Sequence, residues 1–464
     1  SLGIYYSTGN SFTYETEYFG GQLGSIPLIQ SDLNGDGRTD FIINRSGTSL
    51  SPTVLYIKRN GKESLLHNIA DGHGKQINIT YRRMTQTFNF YSRSSSTRYP
   101  RNTVTAPIYL TQKMEEADGN GGFFTKTYKY EDAYVHRGGK GFMGFREFHV
   151  IDSDNNLRTE SEYFNPNNIY LMTINRVKRY VNSSNYLFEQ TAYNQAFISR
   201  PGKSYWLRTN NMTENKYLET QTRNTTYTYD DYGNVTTKVE ANGVENITTS
   251  TSYGRYAGPV PNRPTRVSVS RYRIGYQGYN TRTLFTYNSK GQIVTKKLYA
   301  YLPRQLTITY AYNSLGNVIS ETTATAGQSS RQISQTYDSR GRFITRTVNP
   351  LGQASSASYD IKWGKPTLTT GVDGLTTRYQ YDVFGRLINT TLPTGSVVNE
   401  NYGFNLSSSY GSTYYHQTSQ IGQPTQWIYY DKLDRKIRHH RKGHQNKTIY
   451  QIWTFDSRGR LKTE

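Results

Sequence analysis

The oxygen-bearing residues with the clearest chemical spacing lie in one short stretch near the start of the chain. Counting from Asp32, oxygen donors stand at positions 1, 3, 5 and 9 around a glycine at position 6, namely Asp32, Asn34, Asp36 and Asp40. Carboxylate, amide and carbonyl oxygens are the ligands that Ca²⁺ takes from short loops, and Arg38 at position 7 can supply its main-chain carbonyl oxygen. The spacing predicts a calcium site formed by Asp32, Asn34, Asp36, Arg38 and Asp40.

The type of calcium loop follows from what surrounds these donors. An EF-hand would place Glu at position 12, which is Ile43 here, and no helix pattern flanks the loop. The loop is instead similar to the calcium loops of FG-GAP and VCBS propeller blades, where the loop joins two strands. Here the second strand would contain Phe41-Ile42-Ile43. The alternative is a polar turn rich in Asp, Asn and Gly that binds no metal.

A glycine motif in the middle of the chain invites a dinucleotide interpretation. Residues Gly139–Gly144 match G-x-G-x-x-G. This motif binds a dinucleotide when it follows a strand and opens a helix within a parallel β-α-β unit. The flanking sequence has a strand and loop pattern, so we predict close packing or sharp bending of strands at glycine, and no cofactor.

Histidines and carboxylates give no constellation that the sequence identifies as catalytic. His439, His440 and His444 lie in a basic run, Lys432–Lys447, where cationic neighbours oppose metal binding. We expect this run to form a solvated surface. No nucleophile elbow, phosphate-binding P-loop or zinc motif is present, and no carboxylate has the apolar setting that marks a shifted pKa. The sequence therefore predicts that the chain is not an enzyme.

The elements that would position such residues are repeated β-hairpins. The pattern Tyr381-Asp382…Gly385-Arg386 recurs through the C-terminal half, and from Tyr287 onward its tyrosine positions are 25, 25, 22, 22, 49 and 25 residues apart. The other copies share an aromatic residue followed by Asp or Asn, at Tyr229, Tyr287, Tyr312, Tyr337, Tyr359, Tyr430 and Phe455. A period of this size indicates a repeat architecture.

Each residue of the repeat has a predicted role in a hairpin. The ring of Tyr381 should pack on the sheet against the next unit while its hydroxyl stays in water. Asp382 should accept hydrogen bonds from the following N–H groups and close the hairpin, and Gly385 should supply the positive φ of the turn. One hairpin alone is marginally stable, so hairpins should stack edge to edge. The sequence predicts an all-β fold.

Composition sets the class of protein. The chain has 464 residues, a mean hydropathy of −0.77 and 43 tyrosines. Low hydropathy suggests disorder, but regular aromatic hairpins argue against it and suit a thin sheet with both faces wetted. The absence of cysteine excludes disulfides and thiolate metal sites. No apolar run approaches the roughly 18 residues of a membrane helix, so we predict no transmembrane segment.

The basic charge and the two chain ends add two further expectations. A net charge of +21 permits binding to acidic surfaces or nucleic acid, but no helix-turn-helix, zinc finger or RNA-binding fingerprint is present. We therefore predict no specific nucleic-acid partner. The chain starts at Ser1 and stops inside a return strand, at Glu464, so we expect a fragment of a longer protein.

The repeated Tyr-Asp-x-x-Gly-Arg unit resembles the RHS/YD repeats of bacterial toxin-shell proteins. The middle segment is similar to that of SpvB-type proteins and of the B component of insecticidal toxin complexes, through Asp71-Gly-His-Gly74, Ile77–Tyr81 and Gly138–Phe145. Lys140 and Met143 replace the arginine and leucine of the family's glycine-rich string. The resemblance divides the chain into a propeller-blade segment at 1–66, a middle region at 67–200 and a YD-repeat shell segment at 201–464.

The resemblance implies a function that the residues alone do not show. In that family the YD repeats spiral into a hollow β-sheet shell that encloses a toxic C-terminal domain, and the propeller docks on a pore-forming A component. This implies a noncatalytic scaffold of a secreted, extracellular bacterial toxin. Only about one blade is present, and the self-cleaving core is absent. The alternative is a cell-wall-associated YD-repeat protein at the cell surface that binds carbohydrate or displays a contact-dependent toxin.

Overall fold

The all-β fold class predicted from the repeat is confirmed in a computed structural model. The structure describes residues 2–7, 12–17, 29–31, 40–44, 52–55, 65–86, 89–94, 99–165, 172–200, 204–255, 262–404, 410–443, 445, 447–456 and 458–464. No α-helix occurs in these ranges. In the part of the chain so described, there is consequently no helix long and apolar enough to cross a membrane.

The chain divides into two compact units. The first contains Ser1–Ile69, Asn78–Met114 and Thr127–Phe148, and the second contains Ala70–Ile77, Glu115–Lys126 and His149–Glu464. These units do not test the predicted domain boundaries at residues 66 and 200, which stay predictions.

Five short strands begin the first unit. They are β1 (Leu2–Ser7), β2 (Phe12–Glu17), β3 (Ile29–Ser31), β4 (Asp40–Asn44) and β5 (Pro52–Leu55). β1 pairs with β2, and β3, β4 and β5 form an antiparallel sheet in chain order. The predicted calcium loop therefore joins two antiparallel strands, β3 and β4.

Seven strands span the middle of the chain. They are β6 (Asn68–Ala70), β7 (Gln76–Arg83), β8 (Tyr91–Ser92), β9 (Arg101–Val104), β10 (Tyr109–Ala117), β11 (Phe123–His136) and β12 (Gly141–Asp152). The first unit has a true apolar core, with Met84, Phe90, Tyr91, Tyr130 and Ala133 buried in one cluster. The Tyr130 ring is tilted against those of Phe145 and Phe148, at 4.8 and 5.2 Å between ring centroids. Aromatic area supplies most of this core.

The second unit is dominated by consecutive antiparallel strands. They are β13 (Leu157–Phe164), β14 (Thr173–Val181), β15 (Tyr186–Arg200), β16 (Ser204–Lys216), β17 (Gln221–Tyr229), β18 (Val235–Ala241), β19 (Glu245–Arg255), β20 (Asn262–Arg273), β21 (Tyr279–Tyr287), β22 (Ile293–Leu298), β23 (Leu306–Tyr312), β24 (Val318–Thr325), β25 (Arg331–Tyr337), β26 (Ile344–Val348), β27 (Ala354–Tyr359), β28 (Pro366–Thr370), β29 (Thr376–Tyr381), β30 (Leu387–Thr391), β31 (Val397–Phe404), β32 (Tyr414–Gln420), β33 (Gln426–Tyr430), β34 (Lys436–Lys442) and β35 (Thr448–Ile452). From β13 to β35 each strand pairs with the next along the chain. A last pair follows, β36 (Thr454–Phe455) with β37 (Leu461–Thr463).

This sheet has little buried apolar area. Among the described residues from His149 onward, one apolar side chain is buried, that of Ala300. Most strand residues are half-buried, as the prediction of a thin, wetted sheet expects. Stability must therefore come from strand pairing and from the turns that join the strands.

Because neighbouring strands run in opposite directions, the turns alternate between two edges of the sheet. The YD edge is formed by the turns that begin at Asp230, Asn288, Asn313, Asp338, Asp360, Asp382 and Asp431. The opposite edge is formed by the turns that contain Gly243, Gly275, Gly327, Gly352, Gly374, Gly395 and Gly422. Strands that enter the YD edge carry a β-bulge directly before the tyrosine, as between Gln380 and Tyr381. A bulge bends the strand and re-aims the next side chain.

Candidate functional site

The turn at Asp382 shows how one repeat closes. Asp382 Oδ1 accepts hydrogen bonds from the N–H groups of Phe384 and Arg386, at 2.9 and 2.8 Å. Oδ2 accepts one from Arg386 Nε at 2.7 Å. Gly385 has a φ of +77° and donates its N–H to the Asp382 carbonyl at 3.0 Å. The predicted roles of Asp382 in closing the hairpin and of Gly385 in bending it are confirmed.

Hydrogen bonding holds the turn aspartates in their charged form. Desolvation acts to raise the pKa of Asp382, but the main-chain and side-chain hydrogen bonds from Arg386 outweigh it and lower the pKa. At Asp456 the hydrogen bonds from the Arg460 backbone and side chain lower the pKa in the same way. A carboxylate held charged by its own turn is an acceptor in a structural motif. A general acid would need a raised pKa.

In several repeats the tyrosine reaches back to the hairpin before it. Tyr381 Oη donates to the main-chain carbonyl oxygen of Pro366 at 2.7 Å. The same bond recurs elsewhere, from Tyr229 to Thr209, Tyr253 to Val235, Tyr287 to Pro264, Tyr312 to Ile293 and Tyr337 to Val318. The expectation that the hydroxyl stays in water and that Tyr381 packs on the next unit was wrong. The bulge aims the ring toward the preceding hairpin, whose carbonyl the hydroxyl satisfies.

The residue after the positive-φ turn residue, which is glycine in most repeats and Asp434 before Arg435, pairs either with the next turn or with its own. Gln292, Asn317 and Lys365 each donate from their side chain to the carbonyl of the next repeat's turn glycine, at 3.1, 2.7 and 2.6 Å. Arg386, Arg435 and Arg460 instead pair with the aspartate of their own turn at 2.7 Å. The turns are therefore linked backward by tyrosine and, in several repeats, forward by an amide or ammonium group.

Turn glycines on the YD edge also make room for the preceding repeat. A Cβ added at Gly385 would lie 2.6 Å from Trp363 Cδ2, and one at Gly341 would lie 2.6 Å from Asn317 Nδ2. Gly233 is similarly close to Trp206, at 3.2 Å. Glycine is needed there for close approach as well as for its positive φ.

A distant loop docks on the turns at Asp431 and Asp456 within the second unit. Asn120 Nδ2 donates to the main-chain carbonyl oxygens of Phe455 and Asp456, at 3.1 and 3.0 Å. Gly119 lies so close to Arg435 that an added Cβ would be 2.1 Å from its Nη2 atom. Asp118 Oδ1 shapes the loop by accepting hydrogen bonds from the N–H groups of Asn120 and Gly122. The loop at 118–122 is thus a clasp on turns more than 300 residues later.

The basic run contributes a strand to the thin sheet, and its side chains there are half-buried or exposed. The expectation of a solvated surface stays a prediction. Residues Lys436–Lys442 form β34, and the Arg438 guanidinium lies 4.0 Å from the ring centroid of Tyr410 and 4.6 Å from that of Tyr450. Burial, followed by the charge of Arg438, lowers the pKa of His440. His444 lies outside the described residues. Strand pairing and tyrosine stacking override the repulsion within the run.

The first unit contains two features with candidate chemical roles, a glycine motif and a buried carboxylate. The Gly139–Gly144 motif forms the turn after β11 and the start of β12, with positive φ at Gly139, Gly141 and Gly144. The prediction that it bends strands is confirmed. Asp132 is a carboxylate in a buried setting that the sequence analysis missed. It accepts hydrogen bonds from Ser94 N–H and Arg146 Nε, at 2.5 and 2.7 Å, so the buried charge is paired.

The predicted calcium ligands fall almost entirely outside the described residues. Asp32, Asn34, Asp36 and Arg38 lie there. Asp40 is the first residue of β4 and pairs with Ser31 of β3. The calcium site stays a prediction.

Comparisons with known proteins agree with the architecture of the chain. A model of the insecticide toxin TcdB middle/N-terminal region matches residues 22–175, and a model of the RHS repeat matches residues 359–397. The chain contains a segment that matches the RHS repeat, and it resembles the B component of insecticidal toxin complexes. No curated protein matches the sequence.

Solved structures of toxin complexes share the fold of this chain. The complex TcdB2-TccC3-Cdc42 matches with a TM-score of 0.75 at 10% identity, over 98% of this chain and 36% of that one. TcdB2-TccC3 matches with a TM-score of 0.71 at 10% identity, over 99% and 34%. The Photorhabdus luminescens Tc holotoxin pore matches with a TM-score of 0.73 at 10% identity, over 99% and 35%. The chain spans about a third of the length of these matches.

Proposed function

We propose that this chain is a noncatalytic shell segment of a secreted bacterial toxin, and that it helps enclose a C-terminal toxin domain. The observation that carries the proposal is the linkage of successive YD turns. In the repeat around Tyr381, the Asp, Tyr and Gly side-chain positions and the polar residue before them in the chain, Lys365, all make contacts within the turn or with a neighbouring hairpin. Residues that alone suggest acid–base chemistry are therefore used to build a continuous wall.

The similarity to toxin-complex structures supports the cargo and the partner of this proposal. The matched structures are TcdB2-TccC3 assemblies and a Tc holotoxin pore. By that likeness, the partners would be an enclosed toxin domain and a pore-forming A component, and the place of action would be extracellular. Basic residues outnumber acidic ones by 55 to 34, which favours an acidic or unfolded cargo.

Protease protection tests the enclosure. The protein that carries this chain would be produced with the toxin domain encoded beside it, and the intact assembly treated with trypsin. We expect the toxin domain to resist cleavage until the shell is unfolded by denaturant. Cleavage of the domain in the intact assembly as fast as in the isolated unfolded domain would contradict enclosure. Co-sedimentation with the pore-forming component tests the partner separately.

We further propose that Asp32, Asn34, Asp36, Asp40 and the Arg38 carbonyl bind Ca²⁺. All are oxygen donors, which suits a hard cation, and their loop joins two antiparallel strands. Calcium should raise the melting temperature of the wild-type chain and leave that of Asp36→Ala unchanged. If calcium has no effect on the wild type and Asp36→Ala melts like it, the loop is a turn without metal.

A further inference from the structure

One pentapeptide occurs twice on YD turns, and its two copies differ in geometry. Asp-Ser-Arg-Gly-Arg stands at residues 338–342 and again at 456–460. In the second copy, Arg460 Nε and Nη2 both lie 2.7 Å from Asp456 Oδ2. In the first copy, the nearest contact joins Arg342 Nη2 and Asp338 Oδ2 at 3.5 Å. That distance exceeds a good charge-assisted hydrogen bond, so the Arg342 guanidinium keeps donors available.

The difference follows from the length of the turn. The Asp456 N–H donates to the carbonyl of Arg460, whereas the Asp338 N–H donates to the carbonyl of Phe343, one residue further along. Asp338 Oδ1 is correspondingly taken by the N–H groups of Arg342 and Phe343. The next turn is extended in the same way, because the Asp360 N–H donates to the Lys365 carbonyl. Two extended turns in succession leave a groove between them.

This groove, the 338–361 groove, combines cationic, hydroxyl and apolar groups. Its volume is about 590 Å³, and its lining includes Arg340, Arg342, Phe343, Ser356, Ser358 and Ile361. The Asp338 carboxylate also lines the groove, and its Oδ1 atom accepts hydrogen bonds from the N–H groups of Arg342 and Phe343. Arg340 is exposed and has no ion-pair partner among the described residues. The Ser356 and Ser358 hydroxyls likewise make no side-chain hydrogen bond within the described part of the chain. The Phe343 ring, stacked on Tyr359 at 4.9 Å, forms an apolar wall.

We propose that the 338–361 groove binds a phosphate-bearing small molecule. Arg340 and Arg342 would hold the phosphate with their forked donors, and the serine hydroxyls would donate to its remaining oxygens. A phosphate offers more acceptor oxygens than a carboxylate, which suits two guanidinium groups with several hydroxyls. The organic part of the ligand would pack against Phe343 and Ile361. This site goes beyond the shell role and stands or falls independently of it.

Calorimetric titration at about 0.15 M ionic strength, where exposed charges are screened, tests the site on the whole chain. The probes are inorganic phosphate, phenyl phosphate and benzoate. We expect phenyl phosphate to bind more tightly than inorganic phosphate, because its ring reaches the apolar wall, and benzoate to bind most weakly. Equal binding of the two phosphates would overturn the organic subsite, and tighter binding of benzoate would overturn the phosphate assignment.

The repeated pentapeptide supplies a matched control. Arg342→Gln should weaken the binding of phenyl phosphate about tenfold or more, which is the loss expected when a hydrogen bond to a charged group is removed. Arg460→Gln removes the same residue from the same local sequence and should change the affinity less than about twofold. Unchanged melting curves would show that both variants fold. Absence of binding to the wild type, or equal losses in both variants, would overturn the proposal.

Discussion

Turn glycines occur on both edges of the long sheet, but they serve different purposes on each edge. On the opposite edge, Gly352, Gly374 and Gly395 have positive φ, and a Cβ added at any of them would meet nothing within 4 Å. On the YD edge, Gly341 and Gly385 have equally positive φ, but a side chain of the preceding repeat fills the space beside each. One edge is a row of separate turns, whereas the other is a row of turns in contact.

This contrast shows that side-chain contacts between neighbouring turns, beyond strand pairing, are concentrated on the YD edge. Turns on both edges leave large apolar side chains in water, such as Leu351 and Ile421 on the opposite edge and Val383 and Phe384 on the YD edge, so burial of these side chains does not distinguish the edges. YD turns are joined by the tyrosine hydroxyl, by the polar residue after glycine and by close packing at glycine. A sheet with almost no buried apolar core in this unit depends on such specific contacts, each worth about 0.5–1.5 kcal/mol, repeated many times.

Alanine substitution at one turn glycine from each edge should give the largest difference in stability between the two edges. Both Gly385→Ala and Gly395→Ala force a side chain into a positive φ, which costs about 1–2 kcal/mol. Gly385→Ala must also displace Trp363, 2.6 Å from the new Cβ, and overpacking adds about 1–3 kcal/mol. We expect Gly385→Ala to lower the melting temperature clearly more than Gly395→Ala. Equal losses would show that backbone strain alone sets the need for glycine.

The clasp at residues 118–122 tests whether the YD edge also organises distant segments. Asn120→Ala removes two hydrogen bonds to the carbonyls of Phe455 and Asp456, about 1–3 kcal/mol together. Hydrogen exchange at β36 and β37 should therefore accelerate several-fold to a hundredfold. Asn242→Ala, which removes an acceptor of the Val244 and Glu245 N–H groups on the opposite edge, is the control. Unchanged exchange at β36 and β37 in Asn120→Ala would contradict the clasp.

Local features of this fold could be predicted from sequence, and long-range ones could not. The turn roles of Asp382 and Gly385 follow from chemistry within five residues. The partner of the Tyr381 hydroxyl does not, because it depends on a bulge that the alternating pattern hides. Tyr253 makes the same backward bond without a following Asp or Asn, so the Tyr-Asp motif does not include it, although its spacing from Tyr229 fits the repeat.

The core of the first unit and the strand in the basic run also could not be predicted from the sequence. The core at Met84 and Tyr130 joins strands from separate segments and is built from aromatic residues that the tyrosine-rich composition conceals. The basic run was interpreted from its charge, whereas its strand assignment depends on pairing of Ile428 with His439 and of Tyr429 with Arg438. The calcium ligands stay a prediction from spacing alone.

Removal of a single tyrosine hydroxyl should destabilise the chain less than loss of the two Asn120 hydrogen bonds does. Tyr381→Phe keeps the ring and removes the hydrogen bond to the Pro366 carbonyl, so the free energy of unfolding should fall by about 1 kcal/mol. Tyr272→Phe, next to an opposite-edge turn, is the control, since the Tyr272 hydroxyl makes no hydrogen bond to a described residue and the side chain is 55% exposed. Denaturant unfolding measures both. An equal effect in the two variants would contradict a hydroxyl link specific to the YD edge.

The pH dependence of the turn aspartates should give the smallest effect. Hydrogen bonds from Arg386 lower the pKa of Asp382 below its ordinary 3.8 in the folded chain. Folding therefore favours the charged form, and the stabilisation is present above about pH 4 and is lost as pH falls through the lowered pKa. Asp382→Asn should be less stable than wild type at pH 7, and the difference should shrink below pH 4. Carboxyl NMR titration should place the pKa of Asp382 closer to 3.8 in Arg386→Gln, which removes the ion pair but keeps the backbone donors. A difference that persists unchanged into acid would show that the charge of Asp382 does not stabilise the turn.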